Sequence, residues 1–179
     1  MSTAAEFVPR YTVEDYQLWE GDWELWDGIA VAMTPSPFGR HAKLLAQLAR
    51  TLGNAIEAAQ CSATVLVELD WLVSRTTVLR PDLTVVCGDA PERHVEEPPA
   101  LVAEILSATT RERDLSMKKE IYRQQAVSWY LIVDPDASTI AAYRLNEGGR
   151  FEEVADREPI VIDLCENCRI EFSESQLFR

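Results

Sequence analysis

Lysine is scarce in this chain: Lys43, Lys118 and Lys119 stand against 14 arginines, and the 17 basic residues are outnumbered by 30 acidic ones. The resulting net charge of −13 argues against indiscriminate binding to nucleic acid, which depends on neutralising phosphates with Lys and Arg. Long apolar runs are missing too. None approaches the roughly 20 residues that span a bilayer, so no membrane segment is expected. Met1–Val8 has neither the basic start nor the apolar stretch of a secretory signal, which makes the cytoplasm the expected compartment. Cysteines are few and agree with that compartment. Cys61 and Cys87 lie in apolar surroundings and read as small unpaired core residues. Cys165 and Cys168 have CxxC spacing, but one pair with no histidine near it falls short of the four ligands a zinc site wants. Repeats, low-complexity tracts and linkers are absent, so the 179 residues read as one domain, with a core over about 10–145 and a β-rich tail over 146–179.

The excess of acid over base lies at the periphery. Residues 1–30 carry seven acids and one base, and residues 146–179 carry nine acids and four bases, leaving 14 acids and 12 bases between them. A phosphate-bearing substrate is therefore less disfavoured in the middle of the chain than the total suggests.

Thr12 followed by Asp15 reads as a capping box opening a short helix. Asp27-Gly28 between two apolar-rich runs predicts a hairpin within Trp23–Met33. Spacing alone makes Glu24 an exposed residue of its first strand. Ser36-Pro37 predicts a helix start, and Leu44, Leu45, Leu48, Leu52 and Ile56 form the inward stripe of a helix running to about Gln60. His41 falls on or beside that stripe. Ser62–Trp71 and Thr76–Val86 read as strands, and Ala100–Leu106 as a central strand with both faces covered. Arg111–Gln125 reads as a helix capped by Thr109 or Thr110, with Asp114, Lys118 and Tyr122 along one face. Ser128–Val133 is a further buried strand, and four short strands follow from Thr139 to Phe172. The order predicts an α/β fold: a central mixed sheet flanked by helices, with a β-rich C-terminal extension.

Two carboxylates stand out because each interrupts an apolar run: Asp82, after Pro81, and Glu104, within Ala100–Leu106. A buried carboxylate costs several kcal/mol unless a cation or hydrogen bonds compensate it. If the two strands are neighbours, the pair converges on a site for Mg²⁺ or Mn²⁺, which take carboxylates together with waters and phosphate oxygens. The backbone carbonyl of Ile105 is a further candidate ligand. Lys118 would orient the attacking water or stabilise charge developing on phosphorus. Each residue also has a plainer reading: Lys118 as a solvated helix position paired with Asp114, His41 as a satisfied histidine, Tyr122 as core packing.

The segments Trp23–Gly28, Arg80–Val86, Leu101–Ser107, Arg113–Leu115 and Trp129–Pro135, with His41, Thr110, Lys118 and Tyr122, resemble the Uma2 family of endonucleases within the PD-(D/E)XK superfamily. The resemblance covers roughly residues 10–145 and implies a restriction-endonuclease-like core. It implies Asp82 and Glu104 as the metal-binding pair, Glu24 as an additional acid, and His41 as a polar residue near them. In the superfamily's usual motif a lysine sits two residues after the second acid. That position is Leu106 here, and the resemblance implies that Lys118, on the following helix, takes over. Ala108 stands where relatives commonly have proline.

The leading expectation is a Mg²⁺-dependent endonuclease acting on DNA. The alternatives are a non-catalytic binding or regulatory module of the same fold and a hydrolase of a small phosphorylated substrate. Exposed strand edges in the tail make a homodimer an open expectation.

Overall fold

The computed structural model describes residues 8–33, 39–107, 111–154 and 158–178. The expected helix start at Ser36-Pro37, the cap at Thr109 or Thr110, and Ala108 lie outside the described residues.

Short-range chemistry shapes the N-terminal elements. Thr12 and Asp15 form the capping box of α1 (Val13–Tyr16). β1 (Trp23–Trp26) and β2 (Ile29–Ala32) pair as a hairpin. Its turn places Asp27 at φ 46° and Gly28 at φ 81°, the left-handed pair that a two-residue turn between twisted strands demands. α2 (Gly39–Ala58) buries Leu44, Leu45, Leu48, Leu52 and Ile56.

The two long apolar runs that follow do not form two strands. Ser62–Trp71 divides into β3 (Ala63–Val67) and the start of β4 (Trp71–Ser74). Thr76–Val86 divides into β5 (Thr77–Leu79) and β6 (Leu83–Cys87). Each run crosses from one sheet to another, and each break is bounded by charged residues, Glu68 and Asp70 in the first and Arg80 and Asp82 in the second. Asp82 thus lies just before β6 and outside either strand, and Pro81 stands at a strand start, where proline is tolerated.

β7 (Leu101–Ile105) and β8 (Trp129–Asp134) run parallel at the centre of a six-stranded sheet, flanked by β9 (Thr139–Leu145) and β10 (Phe151–Glu153) on one side and by β6 and β3 on the other. A crossover between parallel neighbours needs a connection of some length, and the helical stretch 111–124 supplies it. That stretch comprises α3 (Arg111–Arg113), a π-helical turn (Asp114–Lys118) and α4 (Lys119–Gln124).

Both faces of the central sheet are covered. Leu83, Val85, Leu101, Ala103, Ile105, Leu131 and Val133 face α2 and the hairpin of β11 (Ile160–Asp163) and β12 (Arg169–Phe172). Val102, Leu106, Tyr130 and Ile132 face Tyr122 of α4 and the four-stranded sheet β2-β1-β5-β4, through Trp26, Trp71 and Leu79. Glu104 shares the face of Val102 and Leu106 and therefore points into this second layer. The fold is a mixed α/β architecture with a central mixed sheet flanked by helices.

The cysteine reading is corrected. Cys61 is bonded to Cys168, and Cys87 to Cys165. The CxxC pair is neither a metal nor a redox pair in itself, because each member reaches back to a cysteine on the core. Disulfides are uncommon in the cytosol, so the cysteines no longer argue for that compartment.

Candidate functional site

The crossover from β5 to β6 and the centre of β7 meet at one cavity of about 420 Å³. The antiparallel register pairs Leu83 with Ala103 and, extended by one residue, sets Asp82 opposite Glu104. The backbone N–H of Ile105 donates to Asp82 Oδ2 at 2.6 Å, and His41 Nε2 lies 3.3 Å from the same oxygen. That hydrogen bond to Asp82 is the main reason the imidazole pKa is raised, against the opposing effect of burial.

Glu104 is 2% exposed and Oε1 accepts from Lys118 Nζ at 3.1 Å and from the Tyr122 hydroxyl. Lys118 Nζ also lies 3.1 Å from Glu24 and 3.8 Å from Asp114. Glu24 is not the exposed strand residue that spacing suggests: it is 2% exposed, because the second sheet lays that face against the core. Its Oε1 accepts the Arg80 backbone N–H at 2.8 Å, and its Oε2 accepts Trp26 Nε1–H at 3.1 Å.

One ammonium thus sits among three buried carboxylates. Burial alone would push the Lys118 ammonium toward neutrality, but Glu104, then Glu24 and Asp114, outweigh it and raise its pKa. Burial likewise raises the Glu104 carboxyl well above its usual range, with Lys118 opposing and Asp82 and Asp114 adding. The cluster carries surplus negative charge in a low-dielectric place, a standing demand for a cation.

Arg80 fixes the crossover from the other side. Its Nε lies 2.7 Å from Asp70, its Nη1 2.9 Å from Asp22, and its Nη2 3.4 Å from the Tyr16 hydroxyl. Across the cavity wall Glu68 adopts φ 49°, and its N–H donates to the Asp82 carbonyl at 3.1 Å. A left-handed glutamate is uncommon and marks a constrained position.

The residues named from the sequence are therefore neighbours here. Glu24, His41, Asp82, Glu104, Ile105, Asp114 and Lys118 line the cavity, and Tyr122 lies beneath Glu104. Asp22, Glu68, Arg80 and Arg113 line it too and were not singled out. Arg80 and Arg113 stood inside segments that carried the family resemblance, which was the available signal. Nothing local marked Glu68.

Among the described residues no group of three or more His, Cys, Asp or Glu side chains is disposed to hold a metal by itself. What the cavity does present is two carboxylates, Asp82 and Glu104, each with one oxygen anchored by the protein. No hydrogen bond reaches Asp82 Oδ1 or Glu104 Oε2 from the described residues. That donor set fits a hard cation taking one or two carboxylates and filling its remaining positions with water and phosphate. It does not fit zinc, which wants a closed nitrogen and sulfur set or three protein ligands.

A family model named Uma2 and described as "Putative restriction endonuclease" matches residues 13–173. A solved structure described as "a putative nuclease belonging to DUF820 from Anabaena variabilis ATCC 29413" is similar in fold. It has a TM-score of 0.73 and 17% identity over 93% of this chain and 97% of that one. No curated protein matches.

Proposed function

The chain belongs to the Uma2 family, and from that premise we propose that it is a divalent-metal-dependent endonuclease hydrolysing DNA phosphodiester bonds, with Asp82 and Glu104 as the metal-binding pair. The observation that carries this reading is the convergence of Asp82 and Glu104 on one cavity, each with an oxygen anchored and an oxygen open. Ile105, whose N–H holds Asp82, also lines that cavity.

Mg²⁺ or Mn²⁺, when bound there, would supply Lewis-acid polarisation of a phosphoryl oxygen and a more acidic water. The chain's own residues do the rest. Ile105 N–H and His41 hold Asp82 in one rotamer, and Tyr122 and Lys118 do the same for Glu104. Lys118 delivers a fixed positive charge beside the position where charge grows on the phosphorus oxygens. Glu24 and Asp114 hold that ammonium together with Glu104. Their cost is surplus negative charge, which a bound cation offsets.

Incubation with plasmid and with single-stranded DNA in Mg²⁺ or Mn²⁺ tests the activity. Nicking or cleavage that disappears in Asp82→Asn and Lys118→Ala is expected. Intact DNA in every metal would remove the nuclease reading. A second reading, a non-catalytic module of the same fold, draws on Lys118 already neutralising part of the cluster. Metal binding without cleavage of any phosphodiester would select it.

A further inference from the structure

Four basic side chains line the cavity: His41, Arg80, Arg113 and Lys118. Six acidic ones join them: Asp22, Glu24, Glu68, Asp82, Glu104 and Asp114. Three of the four cations are already committed. Lys118 is ringed by Glu24, Glu104 and Asp114. Arg80 is tied to Asp70 and Asp22, and His41 to Asp82.

Arg113 differs. Among the described residues it has no carboxylate in ion-pair reach and no hydrogen-bond acceptor. What holds it is a ring: its Cζ lies 6.0 Å from the centroid of Trp26. Trp26 is in turn fixed, 7% exposed and donating its indole N–H to Glu24. A guanidinium resting on an aromatic face keeps its in-plane N–H donors for another partner. In a pocket this acidic, an arginine with open donors would be expected to find a carboxylate. That it is held by a π face instead keeps its charge and its fork for an anion that comes from outside. The two non-bridging oxygens of a phosphate in the substrate backbone offer that fork a bidentate partner.

We propose that Arg113 anchors a substrate phosphate adjacent to the two carboxylates, with Trp26 as the platform that positions it. This rests on the nuclease reading and adds to it the residue that draws a polyanion into an acidic cavity. The helical stretch then has two tasks in one turn: residue 113 holds the backbone of the substrate, and residue 118 serves the reacting phosphate.

The test is fluorescence anisotropy of a short labelled DNA duplex and its single strand. Ca²⁺ replaces the catalytic metal to limit cleavage, and KCl is varied, for the wild-type protein, Arg113→Gln and Arg113→Lys. Thermal melts and Mn²⁺ calorimetry on the same proteins establish that fold and metal binding are intact. Arg113→Gln is expected to weaken binding roughly tenfold. It should also flatten the plot of log affinity against log salt by about 0.9 on duplex or about 0.7 on single strand. Arg113→Lys keeps the charge and is expected to restore the slope, though not the full affinity. An unchanged slope and affinity in Arg113→Gln overturns the anchor while leaving the nuclease reading standing. So does a lysine variant that matches glutamine in slope, or loss of Mn²⁺ binding in Arg113→Gln. Failure of the wild-type protein to bind either strand overturns the nuclease reading, and the anchor with it.

Discussion

Lys118 stands 3.1 Å from both Glu24 and Glu104 and 3.8 Å from Asp114, so its removal is expected to be costly. Lys118→Ala strands three buried carboxylates. Breaking a buried pair from one side typically costs about 3–5 kcal/mol, so urea denaturation should show a loss of that order. Because a cation relieves the same surplus, Mg²⁺ or Mn²⁺ should raise the melting temperature of Lys118→Ala more than that of the wild-type protein. Equal shifts would mean that the metal and the ammonium do not serve one cluster. Tyr122→Phe deletes only the hydroxyl donor to Glu104 and should cost about 1–3 kcal/mol with the core otherwise intact. At this scale the sequence was partly legible. Asp82 and Glu104 were visible because a carboxylate inside an apolar run needs an explanation. Glu24 was not visible from spacing, because its burial comes from the hairpin's own four-stranded sheet packing against the central one, which covers a face that would be wet in the hairpin alone.

At the scale of elements, the crossover Arg80-Pro81-Asp82 ties the two sheets together. Arg80 is held by Glu24, Asp70 and Asp22 on the four-stranded side, and Asp82 by Ile105 on the six-stranded side. Arg80→Ala should destabilise by about 2–3 kcal/mol, from lost hydrogen bonds to charged groups. It should also weaken metal binding at a residue that is not a ligand, which Mn²⁺ calorimetry can read. The helical stretch 111–124 is tied to the end of β8 by Arg111, 2.6 Å from Asp134. That hydrogen bond is the main cause of the lowered Asp134 pKa. A depressed carboxylate pKa contributes stability above its unfolded value, lost as pH falls through the folded one. Arg111→Ala should therefore reduce stability at neutral pH and flatten its decline in acid. The strand breaks at 68–70 and 80–82 were hard to read beforehand because apolar texture continues across them. Hydrophobicity reports burial, and both sheets are buried. The charged residues at the breaks, with Pro81 in the second, were the trace of the change of sheet. By contrast the capping box, the Asp27-Gly28 hairpin and the stripe of α2 are local chemistry, and they read directly.

At the scale of the molecule, the C-terminal hairpin is part of the main core and not an appendage. Ile162, Ile170, Phe172 and Leu177 join the cluster built on α2 and the central sheet, and Trp129 Nε1–H donates to the Asp163 carbonyl at 2.8 Å. Two disulfides with sequence separations of 107 and 78 residues fasten this hairpin to Cys61 and Cys87. Closing a loop of that size restricts the unfolded chain by about 4–5 kcal/mol for the first bond. The second, closing beside the first, adds less. Reduction under native conditions should lower the melting temperature while leaving metal binding in place, since none of the four cysteines lines the cavity. The pairing could not be read from spacing, because it depends on which face of the sheet the tail covers.

A crossover and a central strand bring Asp82 and Glu104 together, and the proposed function depends on that pair holding a cation. The decisive measurement is calorimetric titration of Mn²⁺ into the wild-type protein and Asp82→Asn. Binding of one ion per chain is expected in the wild-type protein, lost in Asp82→Asn with the fold retained. No binding to the wild-type protein, or binding that Asp82→Asn leaves unchanged, would contradict that proposal.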